Sequence, residues 1–231
     1  MRIVLMMMLL ATIMSCSKEK QEDNGVVSGI ATDSQGTPLV GVRIIVDNSV
    51  LFNANLTATT DGAGKYSVKI PTGSWYAFAL YEKTYHGKKY NFYLHPDSDV
   101  GFGGEGAVRN FKWQLTGEKA YPLSGYYGGL VTIDNHPEFN VNAEDIEFTF
   151  TPQGELIDGS NGTTFIAKAL DGHQLKDLPM GRYRVTARYN ANPLTLRRWN
   201  TDNAFETSLV LDFEPRIDGQ CDNCFKIEYN R

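Results

Sequence analysis

From residue 75 the chain sets Trp75, Ala77, Ala79 and Tyr81 on one side of a two-residue repeat. Side chains alternate across a strand, so a period of two buries one face of a sheet. Val27, Gly29 and Ala31 repeat the pattern, as do Val42, Ile44 and Val46, and then Tyr66, Val68 and Ile70. Residues 53–60 form a Thr-rich strand suited to a sheet edge. Phe92 with Leu94, and Val108, Phe111, Trp113 and Leu115, supply two more candidates. Between them lie turn-forming runs: Asp33-Ser34-Gln35-Gly36, Asp61-Gly62-Ala63-Gly64 and Pro71-Thr72-Gly73-Ser74. Helical periodicity is almost absent. Short strands with turn signals about every 8–12 residues predict a β-sandwich over residues 26–116.

The second half reads similarly. A junction is expected at residues 117–122. Strands are expected at 129–134, 145–151, 163–170, 182–189, 205–213 and 224–229, and the one short helix at 172–178. Pro71-Thr72-Gly73-Ser74-Trp75 is echoed by Pro179-Met180-Gly181-Arg182-Tyr183, and the alternation after Trp75 returns as Tyr183, Val185, Ala187 and Tyr189. The expected fold is all-β: two β-sandwich domains in tandem, 26–116 and 122–231, the second Ig-like or transthyretin-like. A length of 231 residues suits two domains of about 100 each.

Four pieces of the first half form a set: Val27-Ser28-Gly29-Ile30-Ala31-Thr32-Asp33, the stretch from Gly36-Thr37-Pro38 through Gly41-Val42-Arg43-Ile44, Thr60-Asp61-Gly62-Ala63-Gly64-Lys65-Tyr66, and Pro71-Thr72-Gly73. Together they resemble the carboxypeptidase regulatory-like domain, a transthyretin-like β-sandwich, closely over residues 26–83. The resemblance implies no peptidase chemistry. It implies a spacer, an assembly element or part of a glycan-handling or uptake protein. Within it, Asp61 is expected to cap its own turn and Gly41 to relieve crowding where a strand begins.

The N-terminus bears on address. Arg2 precedes an apolar run, residues 3–14, too short for the roughly 20 residues that span a bilayer. Ile13-Met14-Ser15-Cys16 then resembles a bacterial lipoprotein signal, cut before the cysteine that carries the lipid. This implies residues 1–15 as signal, Cys16 as the lipidation site and 16–25 as a flexible tether. Ser17 departs from the usual inner-membrane retention residue. The Lys18-Glu19-Lys20-Gln21-Glu22-Asp23 run resembles the charged stretch of surface lipoproteins in Bacteroidetes-like bacteria. The expected location is the outer membrane, held by the lipid anchor only, on its periplasmic or cell-surface side.

A net charge of -5 argues against a nucleic-acid partner. No cofactor is implied. Asp97, Asp99 and Glu105 lie in a glycine-rich stretch, 95–106, where calcium ligation is conceivable and a flexible loop is the plainer reading. With Cys16 lipidated, Cys221 and Cys224 remain together. They are candidates for a disulfide staple, then for paired thiols, with redox or zinc roles (His136 or His173 as further ligands) disfavoured by context. No nucleophile elbow or metal-binding helix motif is present. Asp134, Glu138, Glu144 and Asp145 are a carboxylate grouping that a loop would equally produce, so no catalytic residue is assigned. Candidate binding residues are Tyr121, Tyr126, Tyr127, His136 and Phe139, with Arg197, Arg198 and Trp199 on an expected polar loop, 191–203. The alternative use for the aromatics is filling the domain junction. The expected role is non-catalytic binding or scaffolding of an envelope protein. The alternative is a glycan-binding accessory protein, and a hydrolase stands third.

Overall fold

The computed structural model describes residues 25–120, 124–219 and 221–231. The signal, the tether from Cys16 to Asn24, and Tyr121 lie outside them. The first domain contains β1 (Val26–Thr32), β2 (Arg43–Asn48), β3 (Asn55–Thr59), β4 (Lys65–Lys69), β5 (Trp75–Tyr85), β6 (Lys88–Leu94), β7 (Gly106–Val108) and β8 (Phe111–Lys112). The second contains β9 (Gly129–Asn135), β10 (Ile146–Pro152), β11 (Phe165–Ala167), β12 (Gln174–Leu178), β13 (Arg182–Tyr189), β14 (Asn192–Arg198), β15 (Leu209–Asp212), β16 (Glu214–Ile217) and β17 (Cys221–Asn230). Among the described residues the only helix is a 3-10 turn, Ala143–Asp145, and no helix is long and apolar enough to cross a membrane. The protein is all-β.

In the first domain β4, β1 and β7 form one sheet, with β8 pairing the far end of β1, and β3-β2-β5-β6 forms the other. The alternating residues meet between them. Val27, Ala31, Tyr66 and Phe111 from one sheet, with Ile44, Val46, Trp75, Ala79, Tyr90 and Phe92 from the other, are buried. The larger of these side chains each contribute about 1.5–3 kcal/mol on leaving water. The turns are polar and self-satisfying. Asp61 Oδ1 accepts the N–H groups of Ala63 and Lys65, each at 2.9 Å. Gly41 has φ +80° and open space where a Cβ would sit. Its requirement is therefore backbone conformation, and the crowding expected there is absent.

The second domain is one nine-stranded sheet, β11-β10-β13-β14-β17-β9-β12, with β15 on β13 and β16 on β17. Two expectations are corrected here. The expected helix at 172–178 is strand β12, antiparallel to β9. Leu175 and Leu178 have helical spacing, yet the register shifts between them and Asp177 takes φ 59°, so a bulge turns both leucines inward. The expected loop 191–203 is mostly strand β14. Leu194 and Leu196 are buried, and β14 bridges β13 and β17.

The repeated turn has a shared physical basis. Trp75 Nε1 donates to the Pro71 carbonyl at 3.1 Å, and Tyr183 Oη donates to the Pro179 carbonyl at 2.9 Å. In each, a buried aromatic turns its polar tip back to the proline four residues earlier. A Cβ on Gly73 would stand 2.8 Å from Trp75 Nε1, and one on Gly181 would stand 3.3 Å from the Tyr183 ring.

The domains share one continuous apolar core. Tyr90 Oη donates to the Phe213 carbonyl at 2.6 Å, and Tyr85 Oη donates to the Glu155 carbonyl at 2.7 Å. Burial, then the Asp212 and Glu214 carboxylates, push the Tyr90 hydroxyl well above the ordinary tyrosine range. Lys88 Nζ lies 3.1 Å from Glu214. Of the expected junction at 117–122 the described part, 117–120, is pinned: Tyr127 N–H donates to Gly117 O, Lys119 N–H to Gly125 O, and the Asp177 carboxylate accepts from Gly117 and Gly128.

Candidate functional site

The outer face of β12, β9, β17 and β14 gathers three of the candidate binding residues, Trp199, Tyr126 and Arg197. Gln174, Thr132 and Lys226 pair in register across three strands. Their neighbours Leu175, Val131 and Phe225 are buried, so this row faces solvent. Trp199, just after β14, is 36% exposed, and Lys226 Nζ lies 4.6 Å from its ring centroid. Trp199, Thr132, Asp134, His173 and Lys226 line a shallow hollow of about 250 Å³. On the other side of the row Tyr126 is 42% exposed, beside Gln174, Lys176 and the exposed Leu170. Lys176 Nζ lies 2.6 Å from Asp171 Oδ2. That ammonium, with the N–H groups of His173 and Gln174, holds the Asp171 carboxyl far below its usual range.

Neighbours in sequence part company here. Arg197 turns outward and grips Glu228 with two bonds, Nε to Oε2 at 2.9 Å and Nη2 to Oε1 at 3.0 Å. Its guanidinium stacks 4.3 Å above Phe205, and His136 meets that ring edge-on. Arg198 takes the opposite face, 3.2 Å from Glu214 at the domain junction. Strand alternation thus prevents the two arginines from acting as a pair. Tyr126 and Tyr127 separate likewise: Tyr127 Oη lies 2.7 Å from His95 Nδ1 of the first domain. Phe139 packs edge-on against Tyr229.

The acidic candidates do not converge. Asp97 accepts from Asn110 Nδ2 at 2.8 Å and Glu105 from Gly103 N–H at 2.9 Å. Among the described residues no three His, Cys, Asp or Glu side chains gather as a metal site. Asp145 accepts from Asn142 Nδ2, and Asp134 from the Asn135 N–H. A second acidic spot, Glu147, is neutralised by Arg188 and Lys168, which hold its carboxyl below the usual range. Cys221 and Cys224 form a disulfide at the start of β17. Sequence reasoning missed Asp177, which pins the junction, because a lone carboxylate between Lys176 and Leu178 carries no motif.

No protein-family model matches the chain. No curated protein matches it either. Among solved structures the Bacillus anthracis TIE protein is 15% identical over 89% of this chain, with a TM-score of 0.35. This chain spans 34% of that protein's length. The streptococcal ancillary pilin is 12% identical over 90% of this chain and 63% of its own, with a TM-score of 0.28. A single B repeat unit of the collagen binding surface protein of Staphylococcus aureus is 10% identical over 90% of this chain and 97% of its own, at 0.23. Similarity at this level assigns no function.

Proposed function

We propose that this chain is a lipid-anchored, non-catalytic protein of the outer membrane that binds or scaffolds an envelope protein. In this reading Cys16 carries the anchor. The first domain is a carboxypeptidase regulatory-like spacer of transthyretin type, and the second domain presents the binding face. The observation that carries the reading is the outer face of β12, β9 and β17. It is open and mixed in charge, with Trp199 and Tyr126 exposed on either side of the Gln174, Thr132 and Lys226 row. Exposed aromatics beside paired charges suit a protein contact. The Lys176–Asp171 and Arg197–Glu228 pairs on this face are closed within the chain. The spacer role is supported by the turns of the first domain. Asp33 Oδ1 accepts from Gln35 and Thr37, and Thr60 Oγ1 links Val42 N–H to Leu39 O.

A photo-crosslinking residue at position 199 in the native envelope tests the reading. A discrete protein adduct, absent when the same residue replaces Val210, is the expected result. A glycan reading is favoured by one observation, the hydrogen-bonding groups Asp134, His173 and Thr132 beside the Trp199 ring. Binding on a glycan array that Trp199→Ala abolishes in a folded chain, with no protein adduct, would replace the first reading with the second.

A further inference from the structure

The hairpin between β2 and β3 ends in three adjacent apolar side chains that touch water. Val50 is 78% exposed, Leu51 62% and Phe52 102%. The tip is held in shape by its own polar groups. Asn48 Oδ1 accepts the N–H groups of Val50 and Leu51 at 3.0 and 2.8 Å. Asn53 supplies the left-handed backbone, φ 58°. Ser49 donates its N–H to the Ser74 carbonyl at 2.9 Å, and its hydroxyl lies 2.7 Å from that of Ser74. Residues 48–54 carry no charge. The nearby Asp47 carboxylate is held by the Tyr76 hydroxyl at 2.6 Å. Val100, on the loop that also closes this end, is a further exposed apolar side chain.

The chain joins the first domain at this same end. Gly25 N–H donates to Gly104 O, and Ile70 N–H donates to Gly25 O. Val26 stands opposite Lys69, where β4 ends, and Asn48 stands opposite Trp75, where β5 begins. Ser34, Tyr85 and Lys88, which reach the second domain, lie at the opposite end. Residues 17–24 separate Cys16 from Gly25, a reach of at most about 30 Å when extended.

We propose that Val50, Leu51 and Phe52 insert into the apolar layer of a phospholipid leaflet, a second membrane contact beside the acyl chains of Cys16. The inference rests on the lipid anchor proposed above. Tethering converts the tip's encounter with lipid into an intramolecular event, so three side chains suffice where they would be weak alone. An apolar, uncharged wedge is the chemistry that a leaflet accepts. The contact would fix the first domain end-on and hold the second away from the bilayer.

The test uses the full chain carrying Leu51→Cys. With Cys16 acylated and Cys221 bonded to Cys224, the introduced thiol alone takes an environment-sensitive fluorophore. The protein is reconstituted in phosphatidylethanolamine and phosphatidylglycerol vesicles containing a doxyl-labelled lipid, beside a Val210→Cys control. The expected result is blue-shifted emission and doxyl quenching at position 51, neither at position 210, and loss of both when Val50→Ser and Phe52→Ser are added. Mass spectrometry of the same sample reports acylation. An acylated chain whose position 51 label is as wet as that at 210 overturns the tip and leaves the anchor standing. An unacylated Cys16 overturns both. A blue shift without doxyl quenching seats the tip on protein and overturns the lipid contact.

Discussion

The two ends of the first domain use the same kinds of residue in opposite ways. At one end Tyr90 buries its ring and Tyr85 half-buries its own, and both donate their hydroxyls to carbonyls of the second domain. At the other, Val50, Leu51 and Phe52 stand in water on a hairpin fixed by Asn48 and Ser49. The first end is complete within the chain, and its groups matter to stability. The second holds its apolar side chains in water, so their apolar character is available for an outside contact. The difference shows that a rigid turn and a buried turn are separate properties.

The largest way to break this contrast is Tyr90→Ala. It removes a fully buried ring from the shared core and is expected to cost about 3–5 kcal/mol by chemical denaturation. Tyr90→Phe sharpens the result: it keeps the ring, leaves the Phe213 carbonyl only the longer bond from Lys88 Nζ at 3.4 Å, and is expected to cost about 0.5–1.5 kcal/mol. Acid should loosen the same junction through His95. Burial, then the nearby Lys119, lowers the folded value of this imidazole. The ring nitrogen Nε2 has no partner among the described residues. As pH falls below the ordinary histidine value of about 6.5, the unfolded chain takes the proton first, so stability is full above that value and declines below it. A pH series of melting temperatures from 8 to 5 should show the decline, and His95→Gln should flatten it. Lys88→Met breaks a partly exposed pair with Glu214 and should cost no more than about 1 kcal/mol. At the far end Phe52→Ser should leave unfolding within about 0.5 kcal/mol of the parent. A larger loss there would show the tip packing within the chain.

Strand alternation and turn chemistry were legible. The Pro71 and Pro179 echo identified two turns that share one hydrogen-bonding device. What misled was local. Leu175 and Leu178 mimic a helix because a bulge at Asp177 adds a residue between two inward positions. The Asn-rich flanks of β14 disguised Leu194 and Leu196, whose burial depends on strands distant in sequence. At the candidate site Trp199 stood out through the polar stretch around it, whereas Tyr126 was one of several aromatics that filling the domain junction would equally explain. The separation of Arg197 from Arg198 could be seen only once residues 192–198 were known to be strand. Tyr90 and Phe213 meet across a separation that no local pattern encodes. The tip at Val50 passed unnoticed because three adjacent apolar residues fit neither period.

The place of β17 governs the order in which the molecule can be made. It lies between β14 and β9, and residues 224–229 run parallel to residues 130–135. Of the described strands, the one that follows all the others in sequence is therefore interior to the sheet, and β9 lacks a partner on that edge until β17 arrives. A growing chain can complete the strand pairings of its first domain while the second stays open. Closure of the second domain then waits for β17, which follows every other described strand in the sequence.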